Sequence, residues 1–157
     1  MRRYAIGLLA AAVLMVLASC ATVPSVEVPA GFAAYRDTAP PKAVSPEGVG
    51  FMLRQVDNEP PQSLEFWGAA LERHMAEAGY LLVDQERFVA VAGSGIAFEW
   101  TAPVGEEDWL YLVAIVVAGD RILIAEAAGS VDRYRAYREA VREALTTITA
   151  DRARPGE

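Results

Sequence analysis

Apolar positions change their spacing several times along this 157-residue chain, and each change predicts an element. From Leu64, the residues Leu64, Trp67, Leu71, Met75 and Ala78 recur on one helical face, with Glu65, Glu72 and Arg73 well off it. Ser63 is placed to cap the start of that helix and Gly79 to end it. Past Gly79 the period becomes that of strands. Tyr80–Val83 reads as one strand, Asp84–Arg87 as a turn and Phe88–Ala92 as a second strand. Gly93-Ser94-Gly95 reads as a tight connection. Ile96, Phe98 and Trp100 then alternate with Ala97, Glu99 and Thr101, so Glu99 is expected to face outward, opposite the two aromatics. Residues 103–108 form an acidic loop, and Trp109–Ala118 is apolar at every position. A run of that kind is buried on both faces and belongs near the centre of a covered sheet. Gly119-Asp120 fits a two-residue hairpin that returns the chain as Arg121–Ala128. Gly129 and Ser130 lead into a last helix with the face Tyr134, Val141, Leu145 and Ile148.

Ahead of the first helix the signals are weaker. Ala21, Thr22, Pro24, Ser25 and Pro29 predict an extended, flexible tether over residues 20–30. Phe32–Tyr35 is a candidate edge strand, Pro40, Pro41 and Pro46 interrupt regular structure before Gly48, and Val49–Val56 reads as a strand. Residues 31–150 thus form one α+β domain, with a polar tail over 151–157. Its sheet is mainly antiparallel, with one helix after the early strands and a C-terminal helix packed on it. This order, closing with a hairpin and then a helix, resembles the PsbP-like sandwich of photosystem II extrinsic proteins and Ran-binding Mog-type proteins. The resemblance implies a partner-binding role more than an enzymatic one and carries no site residue with it.

The start of the chain has a different character. Arg2 and Arg3 precede an apolar run of about fifteen residues from Tyr4, shorter than the roughly twenty needed to span a bilayer. The run ends in Leu17-Ala18-Ser19-Cys20, which resembles the lipobox of bacterial lipoproteins. The resemblance implies a signal peptide over residues 1–19 and lipidation of Cys20. Two or more acyl chains anchor a protein stably at a membrane. Residue 21 is Ala rather than Asp, which by the family's sorting pattern implies the outer membrane, facing the periplasm.

Composition narrows the function further. Loss of residues 1–19, with Arg2 and Arg3, leaves 138 residues and takes the formal charge from −7 to −9. So acidic a chain is a poor ligand for nucleic acid, where cations are needed against phosphate. Cys20 is the one cysteine, so lipidation leaves no thiol for a disulfide, a metal or catalysis. The domain must hold together by packing.

Few residues suggest chemistry. His74 is the one histidine and sits on the flank of the first helix's apolar face. Zinc-type clusters of His and Cys are absent, so no metal or cofactor is expected. Glu106, Glu107 and Asp108 read as a solvated acidic loop and lack the oxygen spacing of a calcium loop. Gly93-Ser94-Gly95 matches neither a nucleophile elbow nor a dinucleotide fingerprint. Glu126 shares a strand face with Ile122, Ile124 and Ala128, which makes it a candidate buried carboxylate. Trp67, Trp100 and Trp109 fit core faces or their margins. Arg135, Arg138 and Arg142 form a ridge beside the apolar stripe of the last helix, a candidate surface for an anionic partner. If they form a solvated ridge, triple substitution to Glu leaves folding intact.

These readings converge on a membrane-anchored, non-enzymatic module that meets an envelope protein or a small ligand. The alternatives are a carboxylate-dependent hydrolase using Glu126 with His74, and a wall-binding structural lipoprotein. Partner identity and oligomeric state are left open by the sequence.

Overall fold

A computed structural model describes residues 23–104 and 107–150. The signal segment, Cys20 and the tail at 151–157 lie outside these residues. Nine elements follow in order: β1 (Ala33–Ala34), β2 (Lys42–Val44), β3 (Gly50–Asp57), α1 (Leu64–Glu77), β4 (Leu81–Ala90), β5 (Gly93–Val104), β6 (Glu107–Ala118), β7 (Arg121–Ser130) and α2 (Val131–Thr146). The strands form one antiparallel sheet in the order β1-β2-β3-β7-β6-β5-β4. The fold is therefore α+β, with α1 on one face of the sheet and α2 on the other.

The apolar run over Trp109–Ala118 becomes β6, hydrogen-bonded on both edges to β5 and β7. Its alternate residues serve two cores. Leu110, Leu112, Ala114 and Val116 pack with Leu53, Leu123, Tyr134, Val141 and Leu145 under α2. Val113 and Ile115 pack with Ile96, Phe98, Trp100 and Met75 under α1. Trp100 stacks on Phe98 with ring centroids 5.2 Å apart. The Gly119-Asp120 turn sets the β6–β7 register, with Ala118 opposite Arg121, and Gly119 takes the positive φ such a turn requires.

Both helix ends behave as the sequence suggests. The Ser63 side chain accepts from Phe66 N, and Gly79 adopts φ +87° just past α1. Asn58 ties the approach to α1 to the β6–β7 hairpin. Its amide nitrogen donates to the carbonyls of Gln62 and Gly119, while its Oδ1 accepts from Gln62 N and Trp67 Nε1.

Several expectations change. Gly93-Ser94-Gly95 is not the connection but the start of β5, paired with Phe88–Ala90, so the turn is Val91-Ala92. Pro103 and Val104 pair with Asp108 and Glu107, so the expected 103–108 loop is largely strand. Four further differences matter more for the site. First, Asp84–Arg87 is not a turn but the middle of the ten-residue β4, with a bulge between Leu82 and Asp84. The polar residues fit a strand because Asp84 and Glu86 meet arginines of α2, while Arg87 meets Glu65 of α1. Second, the proline-rich stretch before Gly48 holds a short strand, β2, which pairs with both β1 and β3. Third, Glu99 is on the face opposite Phe98 and Trp100 but does not point to water. That face is covered by α2, and Glu99 is 2% exposed.

Fourth, residues 23–30 do not hang free. Ser25 and Thr149 exchange backbone hydrogen bonds of 3.1 and 2.8 Å, and their hydroxyls lie 2.7 Å apart. Glu27 N donates to Thr147 Oγ1, and Pro24 and Pro29 are buried. The segment runs beside the chain leaving α2, where backbone donors and acceptors past the helix end are available to it.

Candidate functional site

Strand alternation sends Met52, Arg54 and Val56 of β3 and Ile122, Ile124, Glu126 and Ala128 of β7 to the α1 face. The first helix packs over β4, β5 and β6, so the β3–β7 half of that face carries no helix. Between the flank of α1 and β3 lies a groove of about 450 Å³. Val113, Ile115, Ile122 and Ile124 form its floor, and Trp67, Leu71 and His74 stand along its helical wall. A second hollow, of about 360 Å³, continues beyond Glu126 toward Met52, Lys42 and Tyr35. Tyr111 and Glu126 line both.

At this junction three side chains converge. Glu126 is 15% exposed and receives Arg54 Nε at 3.0 Å on Oε2. Its Oε1 accepts from the Tyr111 hydroxyl. Burial, followed by the hydrogen bond to Glu126, pushes the Tyr111 phenol well above its ordinary range, so it stays a donor. The result is an apolar trough with one polar station midway, a common plan for a small-molecule site. His74, the other candidate, lines the same groove as Glu126 from the helix side. Among the described residues no cluster of three or more His, Cys, Asp or Glu could hold a metal ion.

Tyr111 and Arg54 were missed in the sequence, although half of the signal was there. A two-residue turn at Gly119-Asp120 places Val113 opposite Glu126 and so puts Tyr111 diagonal to it. Arg54 could not be found this way, because β3 reaches β7 across a long connection.

The three arginines do not form a common surface. Arg138 and Arg142 turn inward onto carboxylates of β4 and β5. Arg138 contacts both oxygens of Glu99, at 2.9 and 2.6 Å, and Asp84 at 2.9 Å. Arg142 reaches Asp84 at 2.6 Å, Glu86 at 2.8 Å and Glu99 at 3.2 Å. The hydrogen bond from Arg142 holds the Asp84 carboxyl below its ordinary value. Burial opposes the charge on Arg142, but Asp84, Glu99 and Glu86 outweigh it and raise its pKa. Arg135 points outward, 69% exposed, and is 4.0 Å from Asp132. Of the acidic loop, Glu107 and Asp108 are exposed at the start of β6, and Glu106 lies outside the described residues.

Fold and groove together define an α+β sandwich, one antiparallel sheet between two helices with half of one face open. No family model and no curated protein matches the sequence. Solved structures do match. PA94, a Pseudomonas aeruginosa protein of unknown function, aligns with TM-score 0.58 over 80% of this chain and 99% of its own, at 10% identity. CyanoP, the cyanobacterial PsbP of Synechocystis sp. PCC 6803, aligns with TM-score 0.51 over 82% and 86%, at 10% identity. LpqN of Mycobacterium tuberculosis, described as involved in cell envelope biogenesis, aligns with TM-score 0.50 over 84% and 87%, at 11% identity. The PsbP-like arrangement expected from the element order is thus met as a likeness of fold, which does not carry function with it.

Proposed function

We propose that this chain is an envelope lipoprotein, acylated on Cys20 and held at the outer membrane facing the periplasm. In this reading its domain binds an envelope protein or a small ligand and catalyses no reaction. The observation that carries the binding role is the groove on the uncovered half of the sheet. Its floor is aliphatic, and three of its polar side chains, Tyr111, Glu126 and Arg54, meet at one place, while Asp57 and His74 line it elsewhere. The lipobox supports the anchoring. The fold shared with LpqN, whose description places it in envelope biogenesis, is compatible with the setting.

A carboxylate-dependent hydrolase is the second reading, favoured by the shared groove of His74 and Glu126. Both Glu126 oxygens already accept hydrogen bonds, from Tyr111 and Arg54, which suits a fixed carboxylate better than a working base.

In-cell crosslinking tests the proposal, with wild type beside Cys20→Ala and Ala70→Trp. Ala70 is exposed on the groove wall, so an indole there fills the groove from outside the core. A partner captured by wild type and lost in both variants supports a tethered groove binder. A partner captured equally by Ala70→Trp moves the binding face elsewhere. No partner with any form refutes the adapter role and sends the domain to hydrolase screens.

A further inference from the structure

The docked N-terminal segment has a consequence for how the domain meets the membrane. Ser25 is pinned to Thr149 and Glu27 to Thr147, so the N-terminal segment enters the domain at the C-terminal end of α2. Four Cα steps separate Cys20 from Pro24, the first buried residue of the segment, a reach of at most about 14 Å. A free segment to residue 30 would reach about 36 Å. The domain itself, near 130 residues, has a radius of gyration of about 14 Å. A tether no longer than that radius does not let the domain turn over freely.

The end of the molecule beside the tether has its own chemistry. Val91 donates its backbone N–H to the Thr146 carbonyl, which fixes the β4–β5 turn against the end of α2. Val91 is 74% exposed, and Val28, which lines the same cleft, is 46% exposed. The remaining lining of that cleft is Ser, Thr and Val, with Glu27 as its charged member. The opposite end of α2 carries Asp132, about 21 Å away along the helix axis at 1.5 Å per residue.

We propose that the corner formed by Val28, Val91 and the Thr146–Thr147 end of α2 is a membrane-contact surface. It rests on the headgroup layer of the bilayer that holds the lipid on Cys20, and the start of α2 points away. The proposal rests on the lipoprotein reading given above. A hydroxyl-rich, apolar corner with one carboxylate suits a zwitterionic lipid interface and not an anionic one, which attracts Lys and Arg.

Lipidation of Cys20 leaves the mature chain without another thiol, so a cysteine placed elsewhere is labelled uniquely. The test uses full-length Val91→Cys and Asp132→Cys, purified with their lipid and labelled with bimane. Each is reconstituted in phosphatidylcholine vesicles whose headgroups carry a nitroxide quencher. Flotation with the vesicles is read first. Failure to float overturns the lipoprotein reading and the proposal with it. For protein that floats, the expected result is loss of fluorescence at position 91 and none at 132. Equal quenching at both sites, or none at 91, overturns the orientation while leaving the anchor standing. Inserting about twenty Gly/Ser residues between Thr22 and Val23, a coil spanning about 25 Å, is expected to abolish the difference between the sites. A difference that survives the insertion overturns the role of the short tether.

Discussion

Substitution of Arg142 by Met separates the two roles that the arginines of α2 were open to. As a solvated residue, Arg142 is replaceable at no cost. In the structure it is 22% exposed and holds Asp84, Glu86 and Glu99 at once. Removing one partner of a buried ion pair costs about 3–5 kcal/mol, because the remaining charge is left uncompensated. Here Arg138 still contacts Glu99 and Asp84, and water reaches part of the cluster, so the loss falls at the low end, about 3 kcal/mol. For a domain of this size that lowers Tm by about 10 °C. Urea unfolding followed by tryptophan emission gives the free energy, with Trp100 buried in the core as the reporter. Arg135→Met, at an exposed position, serves as the control and is expected to leave the urea midpoint unchanged. Equal, negligible effects at both positions would refute the internal role of the cluster. The same reasoning reverses the expectation for triple substitution by Glu. Two of the three new carboxylates would join Asp84, Glu86 and Glu99, and the domain should fail to fold.

Three further outcomes follow from single contacts. The Asp84 carboxyl has a folded pKa below its ordinary 3.8, so its contribution is present above that value and lost as pH falls through the folded one. Acid unfolding below about pH 4 should therefore be less steep in Asp84→Asn than in wild type, as read by circular dichroism against pH. A Cβ on Gly95 would stand 2.4 Å from Phe88 Cζ and 3.0 Å from the Ile115 carbonyl. Gly95→Ala should cost about 1–3 kcal/mol in urea unfolding, only partly recovered by Phe88→Leu, because the carbonyl cannot move aside. Asn58→Ala leaves the Trp67 indole N–H and the Gln62 N–H without their acceptor, and should lower stability by about 2–4 kcal/mol with a change in tryptophan emission.

Local rules determined much of this protein. Helical spacing with Ser63 and Gly79 marked α1, the unbroken apolar run marked β6 as a strand with two buried faces, and Gly119-Asp120 marked the hairpin and its register. These signals depend on neighbours in the chain, which is why they can be read from it. Alternation also put Glu126 on the face with Ile122 and Ile124, and Glu99 opposite Phe98 and Trp100. What alternation cannot say is which face is covered and by what. Burial of Glu99 under Arg138 and Arg142, and continuation of β4 through Asp84–Arg87, depend on α2 crossing the sheet over β7 and β6 and reaching β4. The groove exists because α1 covers only half of its face, a matter of where a helix lands and not of its pattern. Attachment of Ser25 and Glu27 to Thr149 and Thr147 joins the two ends of the domain through a pair of backbone hydrogen bonds and through the hydroxyls of Ser25, Thr147 and Thr149. The backbone bonds leave no trace in side-chain composition, and Ser and Thr suit a tether equally well, so the same residues read as a free tether until the tertiary structure brings Thr147 and Thr149 beside them.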